Sequence, residues 1–155
     1  MALAPYLISE GILILDPASD ANGVLAKAAD IAAAAMAQSG ASISGGTLLE
    51  ALQAREAQRS TGTPEGVAFP HALLAGLPRS LVVVIRTKNA VPFDGQRCDL
   101  IFAMFGDAEQ PWDHVRLLAR LARLTATPEA RDRLRSAQTD DALRTAIQAE
   151  DDAHG

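Results

Sequence analysis

The chain has 155 residues, of which 48% are hydrophobic and 21% are charged, and this composition fits one globular domain whose core is large enough to fold unaided. Its formal net charge of -5 argues against a sequence-independent nucleic-acid surface, because such binding needs clustered Lys and Arg to displace counterions. We therefore expect no nucleic-acid partner.

The N-terminal part predicts a short strand followed by a helix. Met1 to Tyr6 lacks the features of a signal peptide, and the apolar run Ile12 to Leu15 is far shorter than the roughly 20 residues that cross a bilayer. Asp16 to Asp20 offers capping oxygens for a helix that runs to about Gln38 and ends at Ser39-Gly40. We expect no membrane insertion.

The first two helices carry different signals. A stripe of small apolar residues on the first indicates close packing against a sheet: Val24, Ala28, Ile31 and Ala35. The second begins near Gly46 or Thr47 and is expected to bury Leu48, Leu49 and Leu52. The same face of this helix, continued along the chain, reaches Arg55, which places a permanent positive charge beside apolar side chains. Arg55 either pairs with a structural carboxylate, binds its helix's terminal carbonyls, or holds the oxygens of a phosphate.

The loop Gly62 to Pro70, which leads to His71, is the most informative feature for function. Its glycines, a short apolar strand and the proline place the imidazole at a strand end, where a reactive side chain can meet a partner. The histidine either donates to a backbone carbonyl in a structural role or carries a phosphoryl group. Ser60 and Thr61 are turn formers or phosphate-binding hydroxyls, and we keep Thr61 as a candidate phosphate ligand.

Two apolar runs predict central strands covered on both faces, Leu81 to Ile85 and Asp99 to Phe105, with Asp94-Gly95 as the turn between them. Cys98 is the only cysteine, so we expect no disulfide and a reducing compartment, the cytoplasm. A metal site built from histidine, Cys98 and an acid lacks any HxxxH or CxxC ligand pair, and we predict none.

A third helix opens near Pro111 to Asp113. Its apolar side is expected to carry His114, Leu117, Leu118, Leu121, Ala122 and Leu124, and its solvent side Arg116, Arg120 and Arg123. His114 lies in the first turn, where free N–H groups favour an anion, or it is a core-edge histidine satisfied by a hydrogen bond. Capping residues predict two more helices, after Thr127 and after Thr139 or Asp140. Helices that alternate with apolar strands predict a three-layer α/β fold.

The stretch Arg55 to His71 resembles the phosphorylation-site signature of enzyme IIA domains of the bacterial phosphoenolpyruvate:sugar phosphotransferase system, in the fructose, mannitol and nitrogen-regulatory class. Three parts of it fall at the family's spacing: Arg55-Glu56, Ser60-Thr61-Gly62 and Ala68-Phe69-Pro70-His71. The family's later blocks are resembled, in order, by Pro92-Phe93-Asp94, Asp99-Leu100-Ile101-Phe102, and His114 with Leu117 and Leu118.

The resemblance implies a single α/β/α domain over residues 1–155, with a core at about 7–149 and a mixed sheet of about five strands flanked by helices on both faces. It implies a phosphotransferase that works through a phosphohistidine, without metal or cofactor. His71 would accept the phosphoryl group from an HPr-type carrier, or its nitrogen-branch counterpart, and pass it to an enzyme IIB domain or signal to a regulated target. His114 and Arg55 match the family's supporting histidine and phosphate-stabilising arginine.

Two departures from the family pattern concern partner choice more than chemistry. Pro64 stands where the family usually has a small glycine-like residue, and Ala72 replaces the common glycine after the histidine, so both stiffen the loop. The stand-alone length and Phe93-Asp94 favour the regulatory branch over sugar uptake. The alternatives are a non-phosphorylated protein-binding module of the same fold and a metal-dependent enzyme.

Overall fold

The computed structural model describes residues 1–16 and 20–154, so part of the predicted capping segment, Pro17 to Ser19, lies outside the described residues. In the described chain a short 3-10 helix, Ala4–Tyr6, precedes the first strand. The strands are β1 (Leu7–Leu15), β2 (Val67–Ala68), β3 (His71–Leu74), β4 (Leu81–Phe93) and β5 (Gln96–Asp107). The helices are α1 (Ala21–Gln38), α2 (Gly45–Gln58), α3 (Pro111–Leu124), α4 (Pro128–Arg135) and α5 (Asp140–Ala153).

The strands form one mixed sheet in the order β1-β4-β5, with β2 and β3 both paired to the other side of β5. β1 runs parallel to β4, β4 antiparallel to β5, and β2 and β3 parallel to β5. The β4–β5 hairpin turns at Asp94-Gly95, where Phe93 pairs with Gln96 and Asp94 has a φ of 55°. The two central strands and their turn are confirmed.

Helices cover both faces of the sheet. Alternate residues of β4 enter different cores: Val83 and Ile85 pack with α1 and α2, whereas Val82 and Val84 pack with α3, α4 and α5. This alternation explains why the strand is apolar throughout. The predicted three-layer α/β/α arrangement is confirmed.

The first helix forms as its sequence predicts. The Asp20 carboxylate accepts the Gly23 N–H at 2.7 Å and caps α1, and Gly40 ends it with a φ of 85°. Three residues of the predicted stripe are buried and Ile31 is half-buried, and the small side chains let α1 pack against both α2 and the sheet. No helix in the described ranges combines the length and apolar character that a membrane span requires.

The expectation that Arg120 faces solvent is wrong. Arg120 is 6% exposed and donates from Nη2 and Nε to Oδ1 of Asp151 on α5, at 2.7 and 3.0 Å. Asp151 also accepts the Leu3 N–H at 2.9 Å. The spacing of Arg120 from Leu117 and Leu124 places it on the buried face of α3, and an acid from another helix compensates its charge.

The other predictions for α3 are mixed. Arg116 and Arg123 are exposed as expected. Ala122, expected on the apolar side, is also exposed, because it lies on the helix face that turns away from the sheet. Thr127 and Thr139 cap α4 and α5, accepting the N–H groups three residues on.

Candidate active site

His71 is the first residue of β3, which follows β2 after a two-residue break at Phe69-Pro70. Extended structure therefore begins again at His71, after the break that follows β2. Pro70 has no N–H to donate, which interrupts the ladder along β5, but its carbonyl still accepts the Met104 N–H at 2.9 Å. This interruption leaves the imidazole half-buried, with β5 as a fixed support behind it.

Both ring nitrogens of His71 have partners whose roles are unambiguous. Nδ1 lies 3.2 Å from the Phe69 carbonyl oxygen, which can only accept, so Nδ1 carries the hydrogen. Nε2 lies 3.1 Å from Nε of Arg55, which can only donate, so Nε2 carries the lone pair. The environment therefore selects one neutral tautomer, with its nucleophilic nitrogen toward Arg55.

His114 lies against His71. It sits in the first turn of α3, and the two ring centroids are 4.5 Å apart with an interplanar angle of 44°. Burial, then the nearby His71 and Arg55, lowers the pKa of His114 to about 4. The ring is accordingly neutral at pH 7, and the predicted pair of histidines is brought together in space.

The pKa of His71 is also lowered from its usual value. Burial is the main cause and the Arg55 charge adds to it, while the Phe69 carbonyl and Glu56 act in the opposite direction. A low pKa keeps the lone pair of Nε2 free of a proton near neutral pH. The site is thus electrostatically suited to a nucleophile and poorly suited to an imidazolium.

Arg55 has two anchors near the end of α2. Besides donating to His71, its Nη1 donates to the Arg59 carbonyl oxygen at 2.6 Å. The carbonyl of Arg59, the residue that caps α2, has no partner within the helix, so the arginine satisfies it. Of the interactions expected for Arg55, the bond to a terminal carbonyl of its helix is observed, and the same guanidinium also donates to His71.

Glu56 organises the next turn, and its role was missed from the sequence. Its carboxylate accepts the Thr61 N–H at 3.0 Å and also the Thr61 hydroxyl. The Ser60 hydroxyl donates to the Phe93 carbonyl at 3.0 Å. Both hydroxyls therefore hold the turn, and the hydrogen bonds of Thr61 are directed to Glu56. The sequence signal for this role was the position of Glu56, directly after Arg55 and five residues before Thr61.

Two glycines permit the close approach of the loop to its neighbours. A Cβ at Gly62 would lie 2.8 Å from Cβ of Phe93 and 3.1 Å from its carbonyl oxygen. Gly66 has a φ of 85°, and a Cβ there would lie 2.7 Å from Nη2 of Arg135. The loop is consequently held against β4 on one side and α4 on the other.

The two departures from the family pattern, Pro64 and Ala72, are compatible with the local structure. Pro64 is exposed and follows Thr63, whose carbonyl accepts the Gly66 N–H at 3.1 Å, so the proline occupies the second position of a turn. Arg135 fastens the same turn by donating to the Glu65 carbonyl at 2.7 Å while it pairs with Asp99. Ala72 is buried beside β5.

Metal-binding geometry is absent from the described ranges 1–16 and 20–154, in which no three His, Cys, Asp or Glu side chains cluster suitably. Cys98 is buried, and burial raises the pKa of its thiol. The thiol is therefore a neutral core group and takes no part in the histidine site.

Comparison with known proteins identifies the family of the chain. The family model described as "Phosphoenolpyruvate-dependent sugar phosphotransferase system, EIIA 2" matches residues 6–150. A nitrogen regulatory protein of Pseudomonas aeruginosa is 37% identical over 100 residues, which are 63% of this chain and 65% of the relative. The fructose-specific EIIABC component of Bacillus subtilis is 34% identical over 105 residues, 66% of this chain but 16% of the relative. The matched regions thus span less than two thirds of either relative.

Solved structures of proteins with the same fold agree with this family assignment. The nitrogen regulatory protein IIA-Ntr of Neisseria meningitidis superposes with a TM-score of 0.81 at 25% identity, covering 92% of this chain and 97% of that one. Mannitol IIA of Escherichia coli has a TM-score of 0.69 at 15% identity, covering 90% and 98%, and shows the shared fold alone. The chain therefore belongs to the EIIA 2 family of the phosphoenolpyruvate-dependent sugar phosphotransferase system.

Proposed function

We propose that the chain is a phosphocarrier that accepts a phosphoryl group on Nε2 of His71. The donor is the phosphohistidine of an HPr-type carrier protein or of its nitrogen-branch counterpart. The supporting observation is the bonding of the ring: the Phe69 carbonyl holds the hydrogen on Nδ1, and the free lone pair points to a guanidinium. A neutral, oriented imidazole with an adjacent cation is what phosphoryl transfer between histidines requires.

The transfer balances without an external base or cofactor. The Nε2 lone pair of His71 forms the new P–N bond, and the electron pair of the breaking P–N bond returns to the donor imidazole. Positive charge that develops on the His71 ring is stabilised through the Nδ1–H bond to the Phe69 carbonyl. Positioning and electrostatic support supply most of the catalysis in such a reaction.

Arg55 changes partner during this step. Its Nε–H occupies the lone pair of Nε2 before transfer, so it must release Nε2 and bind a phosphoryl oxygen when the new bond forms. The bond to the Arg59 carbonyl keeps the guanidinium close throughout. Arg55 therefore shields the nucleophile first and stabilises the phosphate afterwards.

His114 and Thr61 take supporting parts. As a neutral ring against His71, His114 can donate one N–H to a phosphoryl oxygen without adding a second positive charge. The Thr61 hydroxyl donates to Glu56, so we assign Thr61 to holding the loop rather than to binding phosphate.

The regulatory branch is favoured over sugar uptake. The Pseudomonas relative is named a nitrogen regulatory protein, as are relatives from Klebsiella oxytoca and Escherichia coli, each 34% identical over 100 residues. The acceptor is an enzyme IIB domain or a regulated target protein. An IIB acceptor is supported by the solved complex of mannitol IIA with phosphorylated mannitol IIB from Escherichia coli. We place this activity in the cytoplasm, where the other carriers of the system are expected.

Intact-mass analysis tests the proposal. The protein, His71→Ala and His114→Ala are each incubated with phosphoenolpyruvate, enzyme I and an HPr-type carrier. We expect one acid-labile phosphoryl group on the wild type, none on His71→Ala, and slower labelling of His114→Ala. A folded wild-type protein that no cognate donor labels would instead favour the non-phosphorylated binding module.

A further inference from the structure

The connection between β5 and α3 is organised by one carboxylate. Asp107 is the last residue of β5, and its Oδ1 accepts the Glu109 N–H at 3.0 Å. The backbone carbonyl of Asp107 accepts the Gln110 N–H at 2.9 Å. Asp107 therefore holds the turn that leads into α3 through both its side chain and its backbone.

The same carboxylate also reaches the turn that follows β3. Oδ1 of Asp107 accepts the Gly76 N–H at 3.2 Å, from a residue 31 positions away in the chain. Leu74, the last residue of β3, pairs with Asp107 in the sheet, and its carbonyl accepts the Ala108 N–H at 3.2 Å. A single oxygen atom thus links the turn after β3 to the turn before α3.

Each of the two linked segments carries one of the paired histidines. His71 is the first residue of β3, and Leu74 is the last. His114 lies in the first turn of α3, which begins at Pro111. The ring centroids of the two histidines are 4.5 Å apart. Because a short strand and a helical turn are both stiff, the contacts of Asp107 bear directly on this separation.

Core packing does not hold the first turn of α3. The structure describes residues 111–116 completely, and none of them is buried; Leu117 is the first buried residue of the helix. Gln110, which precedes α3 in the described chain, makes no side-chain capping hydrogen bond. The position of His114 consequently depends on the connection before the helix and on the contact with His71.

We propose that Asp107 is a positioning residue for phosphoryl transfer, whose carboxylate holds His114 at the distance from His71 at which its ring can support the transferred group. This inference rests on the proposed function, which gives the contact between the two histidines its purpose. Asp107 acts through His114 and does not itself bind the phosphoryl group. A misplacement of about 1 Å can cost up to about 100-fold in rate, so the bonds of one carboxylate are sufficient to matter.

Three variants separate the hydrogen bonds of Asp107 from its charge and from general stability. Asp107→Ala removes the acceptor of both N–H groups, and it should fold because these bonds are exposed to solvent. Asp107→Asn loses the charge but keeps a carbonyl oxygen that can accept both N–H groups. Asp20→Ala is the matched control, because the Asp20 carboxylate also accepts an exposed backbone N–H, that of Gly23, in the opposite layer.

NMR of the two histidine rings gives the first measurement. In the wild type, burial, then the nearby His71 and Arg55, lowers the pKa of His114 to about 4. In Asp107→Ala we expect weaker nuclear Overhauser contacts between the rings and a pKa of His114 that rises toward the ordinary histidine value. The pKa of His71 should change less, because the hydrogen bonds that hold its ring come from other segments. Asp107→Asn and Asp20→Ala should keep the wild-type contacts.

Phosphorylation kinetics give the second measurement. Labelling of His71 by phosphoramidate, a small-molecule donor, reports the chemical step without a partner protein. We expect kcat to fall about tenfold in Asp107→Ala with KM little changed. Asp107→Asn and Asp20→Ala should react at the wild-type rate. Adding Asp107→Ala to His114→Ala should slow labelling no further than His114→Ala alone, since both changes remove the same support.

Other outcomes overturn the inference in distinguishable ways. Additive losses in the double variant would show that Asp107 acts independently of His114. Unchanged ring contacts in a folded Asp107→Ala, or an equal loss of rate in Asp20→Ala, would refute a positioning role. A wild-type protein that neither phosphoramidate nor the phosphorylated carrier labels would refute the proposed function, and the ring contacts would then still decide whether Asp107 positions His114.

Discussion

The Nε–H of Arg55 donates to Nε2 of His71 at 3.1 Å, so the cation that we propose stabilises a phosphate is bonded to the nitrogen that we propose accepts it. The same guanidinium donates to the Arg59 carbonyl. Occupation of the lone pair by a donor that cannot lose its proton disfavours protonation of Nε2. Under the proposed function, phosphorylation of His71 would have to break this bond, and the chemical state of His71 would then be coupled to the end of α2.

Arg55→Ala should slow phosphorylation of His71 by a factor on the order of 10²–10³, because a fixed charge beside the transferred group is lost. Arg55→Lys should restore little, since the N–H donors of an ammonium all lie on one nitrogen and cannot replace both Nε, which faces His71, and Nη1, which holds the Arg59 carbonyl. Rapid-quench labelling measures both. Arg59→Ala is the control, because only the backbone carbonyl of Arg59 is used, and an equal defect there would contradict the assignment.

NMR titration should find His114 with a pKa of about 4 and His71 with a pKa below the usual histidine value. Both pKa values are lowered on folding, so the unfolded chain binds the protons first as pH falls. The contribution of these two histidines to stability is therefore fully present above about pH 6.5 and is lost as pH drops toward their folded pKa values. His114→Gln should lose less stability between pH 7 and 5 than the wild type. A normal pKa for His114 would contradict its burial against His71.

Glu56→Ala should destabilise the protein by about 1–3 kcal/mol and slow phosphorylation, because the Thr61 N–H and hydroxyl lose their acceptor. The effect on rate follows from a looser loop ahead of His71. Urea unfolding and the labelling rate measure the two effects. Glu50→Ala is the matched control on the exposed side of α2, and a similar loss in that variant would show a general helix effect.

Gly62→Ala should destabilise the protein by about 1–3 kcal/mol, because the added Cβ overlaps Phe93 side-chain and backbone atoms that cannot yield easily. Gly95→Ala, in the neighbouring hairpin turn, places its Cβ in open space and should be close to neutral. Thermal and urea unfolding of the two variants provide the comparison. Equal stabilities would mean that the loop does not press against β4.

Asp151→Ala should cost about 3–5 kcal/mol of unfolding free energy, since it removes the negative charge that compensates the buried Arg120 guanidinium and the carboxylate that accepts the Leu3 N–H. The guanidinium would keep only the backbone carbonyls of Asp151 and His154 as acceptors. Arg116→Ala breaks an exposed ion pair with Asp113 and should cost less than about 1 kcal/mol. Denaturant midpoints distinguish the two. A small effect of Asp151→Ala would mean that the buried pair relaxes into water.

Much of the fold was predictable because its signals are local. The apolar runs of β4 and β5 are continuous because both faces are buried, and the Asp94-Gly95 turn joins them as the residue types require. Helix starts followed from single capping side chains at Asp20, Thr127 and Thr139. The prediction that Arg120 faces solvent was wrong because burial of a guanidinium depends on a partner from a distant part of the chain.

The sequence alone determined the residue types of the candidate site, their family resemblance and their order along the chain, since Arg55, His71 and the loop between them lie within one stretch. Tertiary structure alone decided the tilted ring contact of His114 with His71, the tautomer held by the Phe69 carbonyl and the hydrogen bonding of Thr61 to Glu56. Periodicity specifies which face of an element is buried. A hydrogen-bond partner or a ring contact depends instead on how elements pack at distances of a few ångströms, which no local pattern encodes.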